Sequence, residues 1–429
     1  MRRTSKRDRS LYPLPLAGEG ASLSERVRAP RRSAIEFSPF REERAGRGRG
    51  RGAAGARPNS AVQEDSMEKK NVLVAMSGGV DSSVAAALLV EQGHNVIGVT
   101  MKTFCYSEAD AQADGPTRSC CGLDGIMDAR MVADRLGIPH YVFDVEREFT
   151  RDVIDDFVSE YAAGRTPNPC VRCNGNTKFR DLLRRGKMLG CDFIATGHYA
   201  RMGTDARGQA VLLRGVDEKK DQSYFLWALP PEMLPKLMFP LGELTKPEVR
   251  EMARRLGLST AEKPESMEIC FVPTGDYAGF LGKRLGADHA ALSPGALVTS
   301  TGEVIGEHDG YARYTVGQRR GLGGGRSLPL YVIGTRPQTR EVVVGTADEL
   351  LRGDVAIGEL NWLAPRPAAG DAIRVQMRHR APAVAARVEA VEDGVVRLAL
   401  DQPQRAVTPG QSAVMFSGDV VLGGGRIAS

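Results

Sequence analysis

The sequence predicts an α/β protein whose parallel sheet is followed by β-rich structure. Between residues 70 and 200, short apolar runs alternate with segments of helical periodicity, which is typical of a parallel sheet covered by helices. From about Leu292 onward, Gly, Pro and short alternating runs replace that pattern, which indicates a small β-barrel or sandwich at the end. A length of 429 residues, with 42% hydrophobic and 26% charged residues, allows two or three globular domains.

The first strand, loop and helix lie in Val72–Leu89, VLVAMSGGVDSSVAAALL. A buried strand is followed by Ser77-Gly78-Gly79, where side chains are small or missing and the chain can turn sharply. Asp81, Ser82 and Ser83 then stand in the first turn of a helix, whose unpaired N–H groups and positive dipole end favour an anion. No Gly-Lys-Ser/Thr follows, so this is not a Walker loop. The pattern predicts a phosphate-binding loop.

The next elements alternate in the same way. Apolar periodicity predicts, in order, a strand, a helix, a strand, two helices and a strand over Asn95–Met101, Asp124–Leu136, His140–Val145, Glu146–Ala162, Thr177–Leu189 and Cys191–Ala200. Ligands of such sheets bind beyond the carboxyl ends of the strands. Met101, Gly197 and His198 should therefore emerge on the same edge as the SGGVDSS loop.

The second half is predicted to change from helix to strand. Residues 201–215 suggest a hairpin around Asp205–Gly208. Residues 222–258 read as helical, divided by Pro230, Pro231, Pro235 and Pro240, with Thr245 capping a helix that has Pro247 in its first turn. Short β-rich runs follow at Tyr331–Gly334, Glu341–Val344, Ala372–Met377, Ala383–Val391, Val395–Leu400 and Ala413–Phe416. We place domain boundaries at 67–280, 281–350 and 351–429.

The net charge of +5 comes from the first segment. Residues 1–66 hold 15 Lys and Arg against eight Asp and Glu, which leaves 43 against 45 in the rest. Nucleic-acid binding by the folded part must therefore use a local patch. The basic segment lacks periodicity, and we interpret it as an extension translated ahead of a true start at Met67, with a disordered RNA-contacting tail and a transit peptide as alternatives. No run is apolar enough for a membrane span.

Seven cysteines, an odd number without a secretory signal, favour a reducing cytoplasm and reactive or metal-binding thiols over structural disulfides. Pro167 and Pro169 predict that Cys170 and Cys173 lie in a stiff, extended loop just ahead of the helix at Thr177. The helix dipole and nearby cations (Arg165, Arg172 and Lys178) should favour thiolate. The spacing alone fits a redox pair, zinc or an iron–sulfur centre. Cys270 follows in ESMEICFVP, Cys191 is expected to be a buried small hydrophobe, and Cys105, Cys120 and Cys121 stay unassigned.

Taken together, the motifs are specific. SGGVDSS, GRTPNPCVRCN, ATGHYAR, KKDQSYFL, ESMEICFVP, YTVGQRRGLG and PGQSAVMF occur in the order seen in tRNA-specific 2-thiouridylases, over about Lys69 to Phe416. The resemblance implies an ATP-pyrophosphatase (PP-loop, Rossmann-like) domain, a small central domain and a C-terminal β-barrel. It also implies an enzyme that adenylates the C2 oxygen of the wobble uridine and replaces that oxygen by sulfur.

The resemblance assigns site residues by position. ATP would bind at Ala75, Met76, Ser77, Gly78, Gly79, Val80, Asp81, Ser82, Met101 and Gly197. Transfer RNA would contact Asn168, Pro169, Cys170, His198, Lys220, Asp221, Gln222, Arg378, His379 and Gln411. Mg²⁺ is expected with ATP because polyphosphate needs charge compensation, and Asp81 is a candidate to position it. The implied partners are lysine-, glutamate- and glutamine-type tRNAs and a sulfur-donor protein.

Two thiols carry the implied sulfur chemistry. Cys270 would hold a persulfide, and Cys173 would act as the nucleophile that releases its outer sulfur. Many family members have Asp where this chain has Cys170, so a carboxylate general base is missing here. An alternative is a [4Fe–4S] cluster on Cys170, Cys173 and Cys270, and zinc on the same thiols is a further one.

Two other function classes compete. A PP-loop synthetase that adenylates a small molecule would explain SGGVDSS but not the cysteines. A non-enzymatic, metal-binding RNA module would explain the cysteines but not the phosphate loop.

Overall fold

The computed structural model describes residues 68–104, 123–264, 269–273, 275–322, 328–392 and 394–428. The predictions for residues 1–66, for Cys105, Cys120 and Cys121, and for residues 265–268 of ESMEICFVP lie outside these ranges. None of the helices described is long and apolar enough to cross a lipid bilayer.

Helices lie on the chain in the order expected of an α/β domain. Their bounds are α1 Val80–Glu91, α2 Leu123–Leu136, α3 Glu146–Phe149, α4 Asp155–Ala162, α5 Pro169–Arg172, α6 Phe179–Met188, α7 Lys246–Arg255 and α8 Tyr277–Leu285. The π-helical segments Thr150–Ile154 and Cys173–Lys178 join α3 to α4 and α5 to α6. Short 3₁₀ turns occupy residues 223–225, 231–236, 290–292, 311–313 and 348–350.

The first sheet is parallel and holds the carboxyl ends of its central strands at one edge. Its strands are β1 Asn71–Ala75, β2 Asn95–Lys102, β3 His140–Asp144, β4 Phe193–Thr196 and β7 Leu237–Met238, in the order β3-β2-β1-β4-β7. From β1 the sheet grows in both directions, to β2 on one side and β4 on the other. The point where the strand order reverses is where such sheets bind ligands. This confirms the predicted parallel α/β sheet.

The second sheet is small and mixed. Its strands β8 Gly295–Thr299, β9 Val304–His308, β10 Tyr331–Arg336 and β11 Glu341–Gly345 are ordered β10-β11-β8-β9. Only the β11–β8 pairing is parallel.

The last sheet closes into a six-stranded barrel, which decides between the predicted barrel and sandwich. Its strands are β12 Leu351–Trp362, β13 Ala372–Gln376, β14 Val384–Glu392, β15 Val395–Arg405, β16 Ser412–Ser417 and β17 Val420–Ile427. Pairing of β12 with β17, as at Ile357 with Ile427, closes it. The predicted hairpin, β5 Ala200–Thr204 and β6 Ala210–Arg214, extends the same sheet through Val420 of β17 and Leu213 of β6.

Three local predictions were wrong. The helical pattern predicted for residues 222–258, divided by four prolines, is found only in α7, and the earlier part forms two short 3₁₀ turns and strand β7. Thr245 caps α7 as predicted, and Glu248 completes a capping box with it. Cys191 precedes β4 instead of lying within a strand, although it is buried as expected, at 3% exposure.

The third error concerns the paired cysteines. Cys170 and Cys173 were placed in an extended loop ahead of a helix at Thr177. The helix instead begins at Pro169, because proline suits the first helical position, where no N–H donor is needed. Cys170 therefore lies in α5 and Cys173 opens the π-helical segment.

Candidate active site

The phosphate loop is tightly built at the carboxyl end of β1. Gly78 has a φ of +72°, and a Cβ there would lie 2.2 Å from the carbonyl oxygen of Gly125 at the start of α2. Gly79 caps α1 in an extended conformation. Only glycine fits at Gly78, since both the dihedral angle and the contact exclude a side chain.

Hydroxyl groups of α1 hold this loop in shape. Ser82 Oγ accepts a hydrogen bond from the Ser77 amide at 3.1 Å and donates to the Gly79 carbonyl at 3.1 Å. Ser83 Oγ donates to the same carbonyl at 2.9 Å. A hydroxyl has one hydrogen to donate, so both serines brace the loop in this structure and do not offer donors to an anion.

Asp81 is part of a charged group that sequence reasoning missed. Lys246 Nζ, from the first residue of α7, donates to both carboxylate oxygens of Asp81 at 2.6 and 2.8 Å, and Tyr199 Oη donates to Oδ1 at 2.8 Å. The Lys246 side chain is only 9% exposed. With both oxygens already accepting bonds, Asp81 suits a water-mediated contact to Mg²⁺ better than direct ligation.

A second lysine contacts the loop backbone directly. Lys263 Nζ donates to the Gly78 carbonyl at 2.9 Å and to Asp128 of α2. Lys263 stands two residues before the undescribed 265–268 stretch that leads to Cys270. Neither lysine belongs to the SGGVDSS motif, and no sequence signal placed either beside it.

The strand ends carry the other residues predicted to bind ATP. A Cβ at Gly197 would lie 2.7 Å from the backbone of Asp81 and Ser82, so this glycine allows the turn after β4 to touch α1. Met101, at the end of β2, is buried at 8% exposure. The structure thus brings Gly197 to the loop and places Met101 in the core beside it.

His198 is held neutral. Its Nδ1 lies 2.6 Å from Thr196 Oγ1, and its ring stacks on Phe179 at 5.8 Å. Burial, aided by the charge of Lys178, lowers the pKa of His198 well below 6.5. A neutral imidazole can accept or donate one hydrogen bond but does not supply positive charge to RNA.

Two of the three predicted reactive cysteines share surroundings. Cys173 and Cys270 are both half-buried and pack against one hydrophobic cluster that includes Phe149, Phe157 and Phe271. Phe271, next to Cys270, packs edge-on against Phe157 with ring centroids 5.1 Å apart. Cys170 is exposed and does not pack there.

The cations expected beside the thiols are largely neutralised. Arg165 pairs with Glu160, and Arg172 pairs with Asp156 at 3.1 Å and Glu359 at 2.6 Å. Their carboxylate partners reduce the positive field at Cys170 and Cys173. Lys178, half-buried in the π-helical segment, remains near His198.

The iron–sulfur and zinc alternatives find no assembled ligand set. Within the described ranges, which include Cys170, Cys173 and Cys270, no three or more His, Cys, Asp and Glu side chains are grouped to hold a metal ion. In this arrangement the three thiols are therefore not assembled as a ligand set.

Several residues predicted to contact tRNA serve the fold in this structure. Asp221 is buried and accepts hydrogen bonds from Arg214, from the Gly215 and Ser223 amides and from the Ser223 hydroxyl. Gln222 Oε1 accepts from the Tyr199 amide at 3.0 Å, which fixes the turn that carries His198. Lys220 beside them is half-buried.

The barrel residues predicted to contact tRNA also make internal contacts. Arg378 donates to the Ala406 carbonyl at 2.8 Å and to Thr408, and burial lowers its pKa. His379 packs on Phe225 with ring centroids 4.3 Å apart. Gln411 Nε2 donates to the carbonyls of Thr166 and Pro167, just ahead of Asn168 and the buried Pro169.

Comparison with known proteins gives matches along almost all of the described chain. Three family models match in succession: the tRNA methyl transferase HUP domain at 70–274, the tRNA methyl transferase PRC-barrel domain at 280–346 and the aminomethyltransferase beta-barrel domain at 352–427. The tRNA-specific 2-thiouridylase MnmA of Geobacter metallireducens is 49% identical over 359 residues, 84% of this chain and 97% of the relative. The protein of the same name from Rhodospirillum centenum is 50% identical over 86% of this chain and 94% of the relative. The one from Carboxydothermus hydrogenoformans is 48% identical over 85% of this chain and 99% of the relative.

Proposed function

The chain belongs to the tRNA-specific 2-thiouridylase family, and we propose that it uses ATP to convert the wobble uridine of tRNA to 2-thiouridine. The family predicted from the motifs is thereby confirmed. The observation that carries the proposed mechanism is the packing of Cys173 and Cys270, distant in sequence, on one hydrophobic cluster.

The first half-reaction activates the base. The C2 oxygen of uridine is a poor leaving group and must first be adenylated. It attacks the α-phosphorus of ATP, and pyrophosphate departs. The braced loop and the N–H groups of α1 suit the departing phosphates, because preformed donors need no reorganisation as charge develops. Mg²⁺, when bound with ATP, would neutralise part of the phosphate charge.

The second half-reaction delivers sulfur. Cys270 carries a persulfide received from a donor protein. The Cys173 thiolate attacks Cys270 Sγ, the Cys173–Cys270 disulfide forms, and hydrosulfide leaves. Hydrosulfide adds to C2, AMP departs, and the two thiols have supplied the two electrons that reduce the outer sulfur. An external thiol must then reduce the disulfide before the next turnover.

The remaining assignments belong to the same proposal. We place ATP at Ala75–Ser82, Met101 and Gly197, and the target base near Asn168–Cys170 and His198. The proposal also includes lysine-, glutamate- and glutamine-type tRNAs as substrates, a sulfur-donor protein as partner and a cytoplasmic location. The proposed domain boundaries are 67–280, 281–350 and 351–429.

The test is mass analysis of tRNA nucleosides after reaction with ATP, Mg²⁺ and a sulfide source. We expect 2-thiouridine together with tRNA-dependent pyrophosphate. Pyrophosphate made with a small amine or acid and no tRNA would establish the small-molecule synthetase instead. A methylated uridine that depends on S-adenosylmethionine would overturn the proposal in favour of methyl transfer. Failure to bind ATP would leave the RNA-binding module.

The thiol mechanism is tested separately by iron and labile-sulfide analysis after anaerobic purification. Active, colourless, iron-free protein is the expected result. Activity that rises in proportion to bound iron and labile sulfide would overturn the persulfide mechanism and establish the cluster.

A further inference from the structure

Three arginines and three carboxylates join the cysteine-bearing chain to the barrel. The cysteine segment, defined here as residues 164–173, contributes two arginines, helix α4 two acids, and the barrel strands β12 and β17 one residue each. The members are Asp156, Glu160, Arg165, Arg172, Glu359 and Arg426. We call this set the ion-pair network.

Arg426 of β17 lies at its centre. Its guanidinium donates to both oxygens of Asp156, at 2.6 and 2.8 Å, and lies 2.8 Å from Glu160 Oε1. Its side chain is 12% exposed and that of Glu160 5%. A planar guanidinium that binds carboxylates at several points fixes direction as well as distance.

The arginines of the ion-pair network keep the buried carboxyl group of Glu160 ionised. Burial acts to raise the pKa of Glu160, but the hydrogen bond from Arg165 and the charges of Arg426, Arg165 and Arg172 outweigh it, and the pKa is lowered. Glu160 is thus a buried carboxylate that stays ionised because cations from the barrel and the cysteine segment both face it.

A second set of contacts ties the same two parts. The Thr166 amide donates to the Pro409 carbonyl at 3.0 Å, and Gln411 Nε2 donates to the carbonyls of Thr166 and Pro167 at 2.9 and 3.1 Å. Gly410 packs so closely that a Cβ would lie 2.9 Å from the Arg165 side chain and the Thr166 backbone. The barrel therefore grips the segment at both its start and, through Glu359 and Arg172, its end.

We propose that Arg426 is a positioning residue for sulfur transfer: through the ion-pair network the barrel fixes the helical turn that aims Cys173 at Cys270. The inference rests on the proposed function. It assigns the barrel a part in the thiol step in addition to any part in holding tRNA. Arg172, one residue before Cys173, is the direct link, since it pairs with Asp156, which also binds Arg426, and with Glu359 of β12.

The test separates the two half-reactions in the full-length protein. Arg426→Met keeps the length of the side chain and removes its charge. We expect tRNA-dependent pyrophosphate release and KM for tRNA to stay within about twofold, while 2-thiouridine formation falls about tenfold or more, because misplacement on the order of 1 Å at a reacting group costs up to about 100-fold in rate. Arg387→Met, which removes an exposed barrel arginine bonded to the Gly370 carbonyl, is the matched control.

A second readout needs no tRNA. Diamide takes two electrons from a pair of thiols, and mass analysis of the peptides gives the rate at which the Cys173–Cys270 disulfide closes. Slower closure in Arg426→Met than in Arg387→Met is expected. Equal closure rates, or an equal fall in pyrophosphate release and thiolation, would overturn the inference.

Should Arg426→Met fail to fold, Glu359→Gln carries the test, because Glu359 is half exposed and still anchors Arg172. It should slow closure and thiolation in the same selective way. A wild-type protein that closes the disulfide but makes no 2-thiouridine would count against the proposed function alone, and Arg426 would still be judged by the closure rate.

Discussion

The ammonium group of Lys263 donates a hydrogen bond to the Gly78 carbonyl at 2.9 Å. A residue seven positions before Cys270 in the sequence therefore contacts the phosphate loop. The same ammonium contacts Asp128 of α2. One side chain therefore holds the phosphate loop against α2.

Lys263→Met should weaken ATP-dependent activity more than it weakens the fold. Without the ammonium group, the Gly78 carbonyl loses its charged donor and the loop is less well held, so we expect KM for ATP to rise about tenfold. Pyrophosphate release at varied ATP measures this. Lys187→Met, on the exposed side of α6, is the control, and equal KM values in the two variants would contradict the role.

Gly78→Ala should abolish adenylation. The new Cβ would meet the Gly125 carbonyl at 2.2 Å, which forces the loop or α2 to move. Gly208→Ala is a matched control, because Gly208 has a similar φ of +76° with no atom within 4 Å of the added Cβ. The control should lose only about 1–2 kcal/mol for its left-handed backbone and keep its activity. Equal ATP binding by both variants would refute the steric argument.

Lys246→Met should destabilise the protein strongly, because it leaves the Asp81 carboxylate without its buried cation. Removing one partner of a buried pair costs about 3 kcal/mol, the low end of the usual range, since Asp81 stays partly exposed. Arg254→Met, which breaks exposed pairs to Glu251 and Glu262, should lower the urea midpoint much less, because water screens exposed ion pairs. Urea unfolding compares them, and similar midpoints would contradict the prediction.

Stability should fall as pH falls below about 6.5. Burial lowers the pKa of His198 well below that value and also lowers the pKa of His379, so each binds a proton more readily when unfolded. Their contribution to the free energy of unfolding is complete above the pKa of the unfolded state. It is lost as the pH falls from that value to the pKa of the folded state. Thermal unfolding between pH 5 and 8 measures the slope, and His198→Gln should flatten it. An NMR titration of His198 near pH 6.5 would disprove the neutral assignment.

Single cysteine substitutions should distinguish the thiols that take part in sulfur transfer from the one that only fills the core. Cys173→Ser and Cys270→Ser are expected to abolish 2-thiouridine formation while pyrophosphate release continues, since only the sulfur step uses the thiols. Cys191→Ala should keep both activities, because Cys191 is buried and burial raises the pKa of its thiol. Nucleoside analysis and pyrophosphate assays decide, and thiolation retained without Cys173 or Cys270 would rule out the persulfide mechanism.

The sequence predicted features that depend on local pattern. Apolar periodicity found the parallel strands, glycine spacing found the phosphate loop, and Thr245 with Pro247 marked the start of α7. It failed at Pro169, which begins a helix instead of stiffening an extended loop, and at residues 223–236, where a helical pattern gives only 3₁₀ turns.

Contacts between residues that are distant in sequence leave no local pattern from which they could be predicted. Lys246 and Lys263 read as ordinary charged helix and loop residues, and only tertiary packing brings them to Asp81 and Gly78. In the same way Arg378 reads as surface charge, whereas the fold points it at the carbonyl of Ala406. Periodicity reports which face of an element is buried but not which element covers it.

The hairpin β5–β6 shares a sheet with the barrel, and this limits how the protein can be divided. Asn361 of β12 also donates to the carbonyls of Trp227 and Leu229, and Phe416 and Val421 pack in the same core as Tyr224. A chain ended near residue 350 would uncover the β6 edge and that core, and exposed edges recruit other strands. The C-terminal barrel is therefore expected to be inherited, expressed and lost together with the catalytic part, so truncation would yield aggregates instead of a minimal ATP-cleaving enzyme.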